Sequence, residues 1–147
     1  MLTQKLAGLT SEEKAHIEHE FEDMLQKCVR CDKPEEREDI RKAFKIAYEA
    51  HKSMRRKSGE PYILHPIAVA KICTFELGLG AKSVVAALLH DVVEDTEFTL
   101  EDIRMMFGEK VASIIDGLTK IKGIFDRVII NDGHEQLQFG LVGPVKL

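Results

Sequence analysis

His90-Asp91-Val92-Val93-Glu94-Asp95 places one imidazole and three carboxylates within six consecutive residues. On a helix, residues four apart share a face, so His90 stands over Glu94 and Asp91 over Asp95. Carboxylates crowded in this way repel one another and are costly to desolvate unless a cation neutralises them. Adjacent His and Asp side chains project about 100° apart around a helix, so they converge only on an ion near its end. Other elements must then complete the shell. The competing reading is a solvated acidic C-terminal turn, a place where the helix dipole disfavours carboxylates. A second histidine would tip the balance, and His65 is the candidate. It stands immediately before Pro66, where the proline favours an extended conformation at the mouth of a helix. Alone, it reads as a cap or a hydrogen-bonded surface residue. With His90 and Asp91 it makes a two-His, one-carboxylate set, which suits Mn, Fe or Zn better than Ca or Mg.

Anion chemistry lies close by in the chain. Arg55-Arg56-Lys57-Ser58-Gly59-Glu60-Pro61-Tyr62 interrupts an otherwise acidic sequence. From Arg41 to Lys57 there are seven basic residues and one acidic residue, Glu49. A basic loop beside an acidic metal cluster is what a phosphorylated anion requires, and arginine also stacks its planar guanidinium on a base. Arg41, Lys42 and Lys45 fit a solvated helix face. Arg56 and Lys57, nine and eight residues before His65, favour the functional reading. Cys28 and Cys31 form a CxxC with no second pair to complete a zinc site, and Cys28 fits an apolar helix face. His16 and His19 fall on a polar helix side, and His51 falls at a helix end where a cation is favourable. No Walker-type glycine loop or GxSxG elbow is present.

The elements that must position these groups are helical. Thr10 with Glu13 forms a capping box, followed by Ile17, Phe21, Met24, Leu25 and Cys28 at helical spacing. A second helix opens near Pro34 and buries Ile40, Ala43, Phe44, Ala47 and Tyr48. Arg55 to Pro66 is a loop. Pro66 begins a third helix through Leu77, which Gly78 and Gly80 stop. Ser83 to Val93 is nearly all apolar; its length and alanines favour a central helix covered on every side, although a Val-rich run also suits a buried strand. Thr99 with Asp102 caps a short helix ended by Gly108, and Val111 to Leu118 is amphipathic. From Arg127 the helical period is lost, and Val128–Ile130 before Asn131-Asp132-Gly133 predicts a strand and turn.

A length of 147 residues suits a single core without staples. The net charge of −4 argues against a general binder of nucleic acid or anionic membranes. No apolar run reaches the roughly 20 residues of a membrane span, and no signal-peptide core opens the chain. Three cysteines fit a reducing, cytoplasmic setting better than a disulfide framework.

The longer strings resemble a known family. Ala50-His51 with Arg56-Lys57-Ser58-Gly59-Glu60-Pro61-Tyr62-Ile63-Leu64-His65-Pro66 is similar to the N-terminal hydrolase domain of RelA/SpoT-type proteins. Ala87-Leu88-Leu89-His90-Asp91-Val92-Val93-Glu94-Asp95-Thr96 and Gly117-Leu118-Thr119-Lys120 resemble its next two motifs. The likeness covers residues 36–126. It implies an all-α HD-domain helical bundle that removes the 3′-diphosphate of (p)ppGpp. By the same resemblance, His65, His90 and Asp91 ligate a manganese ion, and Glu94 and Asp95 position and activate the attacking water. Arg56, Lys57 and Ser58 hold the guanine end of the nucleotide.

One family motif has no counterpart here, a later Leu-Ala-Asp-Arg-Leu-His-Asn-Met string whose aspartate is the fourth metal ligand. Expected, therefore, are a truncated HD-type domain over residues 1–126 and a short non-helical tail over 127–147. A metal site lacking its fourth protein ligand, weak or absent hydrolysis and a possible homo-oligomer are expected with it. Two alternatives stay open: hydrolysis of another nucleotide phosphate, or a catalytically inactive nucleotide-binding or regulatory module.

Overall fold

The computed structural model describes residues 8–120, and every described element is helical. In chain order these are α1 (Ser11–Lys27), α2 (Pro34–His51), α3 (Leu64–Lys71), α4 (Ala81–Asp95), α5 (Leu100–Phe107) and α6 (Glu109–Lys120). The fold is all-α, as its sequence periodicity predicts. The strand and turn expected after Arg127, and the 127–147 tail itself, lie outside the described residues.

α4 is the axis of the molecule. Its residues from Val84 to Val92 are buried without a break, because α2, α3 and α6 all pack against it. A stripe of buried apolar positions would suit a surface helix; an unbroken run requires cover on every side. Each fully buried Leu or Val there stabilises the fold by about 1.5–3 kcal/mol. The observed helix extends the expected Ser83–Val93 segment at both ends, so the acidic residues Glu94 and Asp95 form its last turn.

The capping boxes behave as their spacing predicts. Thr10 and Glu13 exchange side-chain to backbone hydrogen bonds of 3.0 Å at the start of α1. Thr99 and Asp102 do the same at α5. Gly108, at φ 103°, then turns the chain into α6 through a conformation that an L side chain resists.

Three local expectations are corrected. α3 starts at Leu64, so His65 is helical rather than extended, with its N–H donating to Tyr62 O at 2.8 Å. Pro66 is tolerated because the first helical turn needs no donor from it. The same helix does not run as a regular α-helix to Leu77. It passes at Ile72–Glu76 into a π-turn, closed by Leu77 N–H donating to Ile72 O at 3.0 Å. Thr74 Oγ1 donates back to the Lys71 carbonyl, a side-chain bond that competes with the regular ladder. Finally, Cys28 and Cys31 are joined as a disulfide at the end of α1, while Cys73 is a free, buried thiol. Burial pushes the Cys73 thiol up to about 11, which makes it a packing residue rather than a nucleophile. Among the described residues, no helix is long and apolar enough to cross a membrane.

Candidate active site

The segment between α2 and α3 is a tight reversal. Arg56 N–H donates to Glu60 O at 3.0 Å, Gly59 N–H to Arg56 O at 2.8 Å, and Tyr62 N–H to Met54 O at 2.9 Å. Arg55 is spent on structure. Its guanidinium donates to both carboxylate oxygens of Glu13 at 2.7 and 2.8 Å, and also to the carbonyls of Gly8 and Gly59. The loop is thereby moored to α1, and Glu13 is held at about 2, well below the carboxylate range, chiefly by that guanidinium. Arg55, Arg56, Lys57 and Ser58 line a cleft of about 830 Å³ together with Tyr62 and His65. The Arg56 guanidinium lies over the Tyr62 ring, 5.7 Å from its centroid. Arg41 has the plain surface role its helix face predicts, bridging Glu22 at 2.6 Å.

Behind His65, which lines this cleft, α3 meets the buried part of α4. His65, His90 and Asp91 are all buried there, each offering a ligand atom within 4.8 Å of the others. His65 Nε2 lies 3.6 Å from Asp91 Oδ2, and His90 Nε2 lies 3.5 Å from Asp91 Oδ1. These separations exceed a good hydrogen bond. They are the spacing of donors that share one ion at about 2.0–2.2 Å.

The hydrogen bonds behind the donors set their chemistry. His90 Nδ1 sits 2.8 Å from Ala87 O. A carbonyl only accepts, so Nδ1 carries the proton and Nε2 presents a lone pair into the cluster. That Nε2 is buried and makes no hydrogen bond among the described residues. An orphaned buried imidazole nitrogen facing a carboxylate fits a metal ligand, and its backbone partner is the usual device that fixes a ligating tautomer. Tyr62 contributes in the same way, its hydroxyl donating to Asp91 Oδ2 at 2.8 Å.

One turn on, the end of α4 opens to solvent. Glu94 is exposed, and Asp95 accepts a hydrogen bond at 3.2 Å from Nε2 of the fully buried His51. The structure therefore unites His65, His90 and Asp91, gathers Arg56, Lys57 and Ser58 in a cleft that reaches His65, and leaves Glu94 and Asp95 at the adjoining helix end. Two participants were not assigned from sequence. Tyr62 lies in the loop with no local pattern that marks its role. His51 stands at a helix end, where a cation is favourable, yet it continues the buried series Ile40, Ala43, Ala47, so its spacing points inward.

A family model described as HD domain matches residues 43–137. The guanosine-3′,5′-bis(diphosphate) 3′-pyrophosphohydrolase of Aquifex aeolicus is 48% identical over 88 residues, 60% of this chain and 12% of that protein. A probable GTP pyrophosphokinase of Mycobacterium leprae is 47% identical over 96 residues, 65% of this chain and 12% of that protein. The Vibrio cholerae protein named guanosine-3′,5′-bis(diphosphate) 3′-pyrophosphohydrolase is 46% identical over 84 residues, 57% of this chain and 12% of that protein. In each case the chain spans about one eighth of the relative's length.

Proposed function

This chain belongs to the HD domain family, and from that premise we propose that it acts on (p)ppGpp as a metal-dependent hydrolase of the 3′-diphosphate. The observation that carries the reading is the convergence of His65, His90 and Asp91, with His90 Nε2 buried and unbonded, beside a basic cleft that reaches His65. Two relatives named as ppGpp 3′-pyrophosphohydrolases support the substrate.

In this reading His65 Nε2, His90 Nε2 and an Asp91 oxygen hold the ion, which we take to be Mn²⁺. When bound, the ion acidifies a water and offsets charge on the diphosphate. The chain's own residues do the rest. Tyr62 keeps Asp91 aimed at the cluster by its hydroxyl bond. Glu94 and Asp95, at the solvent edge of α4, orient the attacking water, and Asp95 takes its proton. Arg56 presents a planar cation for the guanine, while Lys57 and Ser58 supply charge and a hydroxyl at the same rim. The water adds to phosphorus, the bond to the ribose 3′ oxygen breaks, that oxygen takes up the proton held by Asp95, and pyrophosphate and the 3′-hydroxyl nucleotide are released.

The described residues supply three protein ligands, so the ion is expected to bind weakly, with hydrolysis slow unless it is abundant. That ligand count favours one second reading: a module that binds the nucleotide without turning it over. Incubation with ppGpp and Mn²⁺ separates the two. Released pyrophosphate supports the hydrolase, whereas saturable ppGpp binding without pyrophosphate supports the module.

A further inference from the structure

We propose that His51 is a positioning residue of the hydrolytic site, fixing one oxygen of Asp95 through its Nε2–H while its ring backs Tyr62. The inference rests on the reading of Asp95 as the group that takes the proton of the attacking water.

His51 is the last residue of α2 and is fully buried on that helix's apolar face. Packing alone would be served better by Leu or Phe, which bring no polar atoms to desolvate. Its two nitrogens have different surroundings. Nε2 lies 3.2 Å from Asp95 Oδ2, whereas Nδ1 is buried with no hydrogen-bond partner among the described residues. An ionised carboxylate only accepts, so Nε2 carries the hydrogen. With Nδ1 left as a lone pair, no N–H is buried unsatisfied, which an imidazolium or the other tautomer would require.

The consequence for Asp95 is directional. Oδ2 is engaged from behind by the core, and Oδ1 is the atom left to take a proton. Asp95 sits at a helix end with its side chain about one third exposed, at 32%, where rotamer freedom would otherwise be large. The His51 ring also packs 4.8 Å from the Tyr62 ring, and Tyr62 donates to Asp91. One buried side chain thus touches both the water-activating carboxylate and the residue that aims the metal-ligand carboxylate.

The test uses the full chain with ppGpp and saturating Mn²⁺, comparing H51L, H51Q, D95N and H51L/D95N. Leu removes the donor, and Gln puts an amide N–H near the place of Nε2. H51L should lower kcat roughly 10- to 100-fold, as loss of a supporting hydrogen-bond partner does, with KM and bound Mn²⁺ little changed. H51Q should recover most of that loss, and adding H51L to D95N should cost nothing more. H51L with full kcat, or a loss that simply multiplies with that of D95N, overturns the inference. Full kcat in D95N instead removes the underlying role of Asp95, a distinguishable failure. A readout independent of turnover is two-bond ¹H–¹⁵N spectroscopy of the metal-free chain. His51 should appear as the neutral Nε2–H tautomer, with its signal moved by D95A; an Nδ1–H tautomer or a charged ring overturns the proposal.

Discussion

Asp91 is where three constraints meet: burial in the middle of a packed helix, two imidazole nitrogens at 3.5 and 3.6 Å, and a tyrosine hydroxyl at 2.8 Å. A buried carboxylate costs several kcal/mol unless its charge is compensated, and a bound cation supplies that compensation. Tyr62→Phe removes one hydrogen bond and keeps the ring, so Mn²⁺ affinity should fall about 10- to 100-fold with no loss of helix content. Titration calorimetry reads the first and far-ultraviolet circular dichroism the second. Glu94 and Asp95 belong to a different step. The E94Q/D95N variant keeps shape and removes charge, so kcat should fall by roughly 10²–10⁴. Metal content after dialysis should stay as in the unmodified chain; an equal loss of metal would reassign the pair as ligands. At this scale the sequence carried much of the chemistry, because residue type and four-residue spacing define what a helix end can hold. It did not carry Arg55. Nothing local distinguishes Arg55 from Arg56, and only the approach of Glu13, 42 positions away, ties one of them to α1 through both carboxylate oxygens.

At the scale of elements, the α1–loop mooring is the joint that orients the cleft. Glu13 is pulled from an ordinary 4.5 to about 2 mainly by its bonds to Arg55. A carboxylate depressed on folding contributes stability that is fully present above its unfolded value and lost as pH falls through the folded one. The window is therefore pH 4.5 down to about 2. Both side chains retain some exposure, at 19% and 28%, so solvent screening leaves the pair worth much less than the full shift. E13Q should lower the urea midpoint at pH 7 slightly and flatten the stability curve across that window, an outcome that chemical denaturation at stepped pH reads directly. The existence and order of the helices were legible from period and caps. The nearly all-apolar segment Ser83–Val93 predicts a helix covered on every side, and Val84–Val92 is buried without a break. The α3 boundary was not, because Pro66 marks the first turn of a helix without fixing which residue of that turn it occupies. The π-turn at Ile72–Glu76 was also hidden, since no residue spacing in that stretch marks a departure from the α-helical period.

Across the whole molecule, stability and function share α4. Its apolar length anchors the core, and the polar residues that follow carry the chemistry, so damage to one reaches the other. Leu88→Ala, at a fully buried position two residues before His90, should cost about 2–5 kcal/mol and weaken Mn²⁺ binding through disorder of the helix end. Urea unfolding monitored with and without Mn²⁺ measures both. The central claim is that hydrolysis depends on an ion held by His65, His90 and Asp91. Its most direct measurement is pyrophosphate release from ppGpp across a Mn²⁺ series, with the unmodified chain beside His90→Ala. The account predicts release that rises with Mn²⁺, stops on chelation and is absent in His90→Ala at every concentration. Release that persists under chelation, or that survives undiminished in His90→Ala, would contradict it.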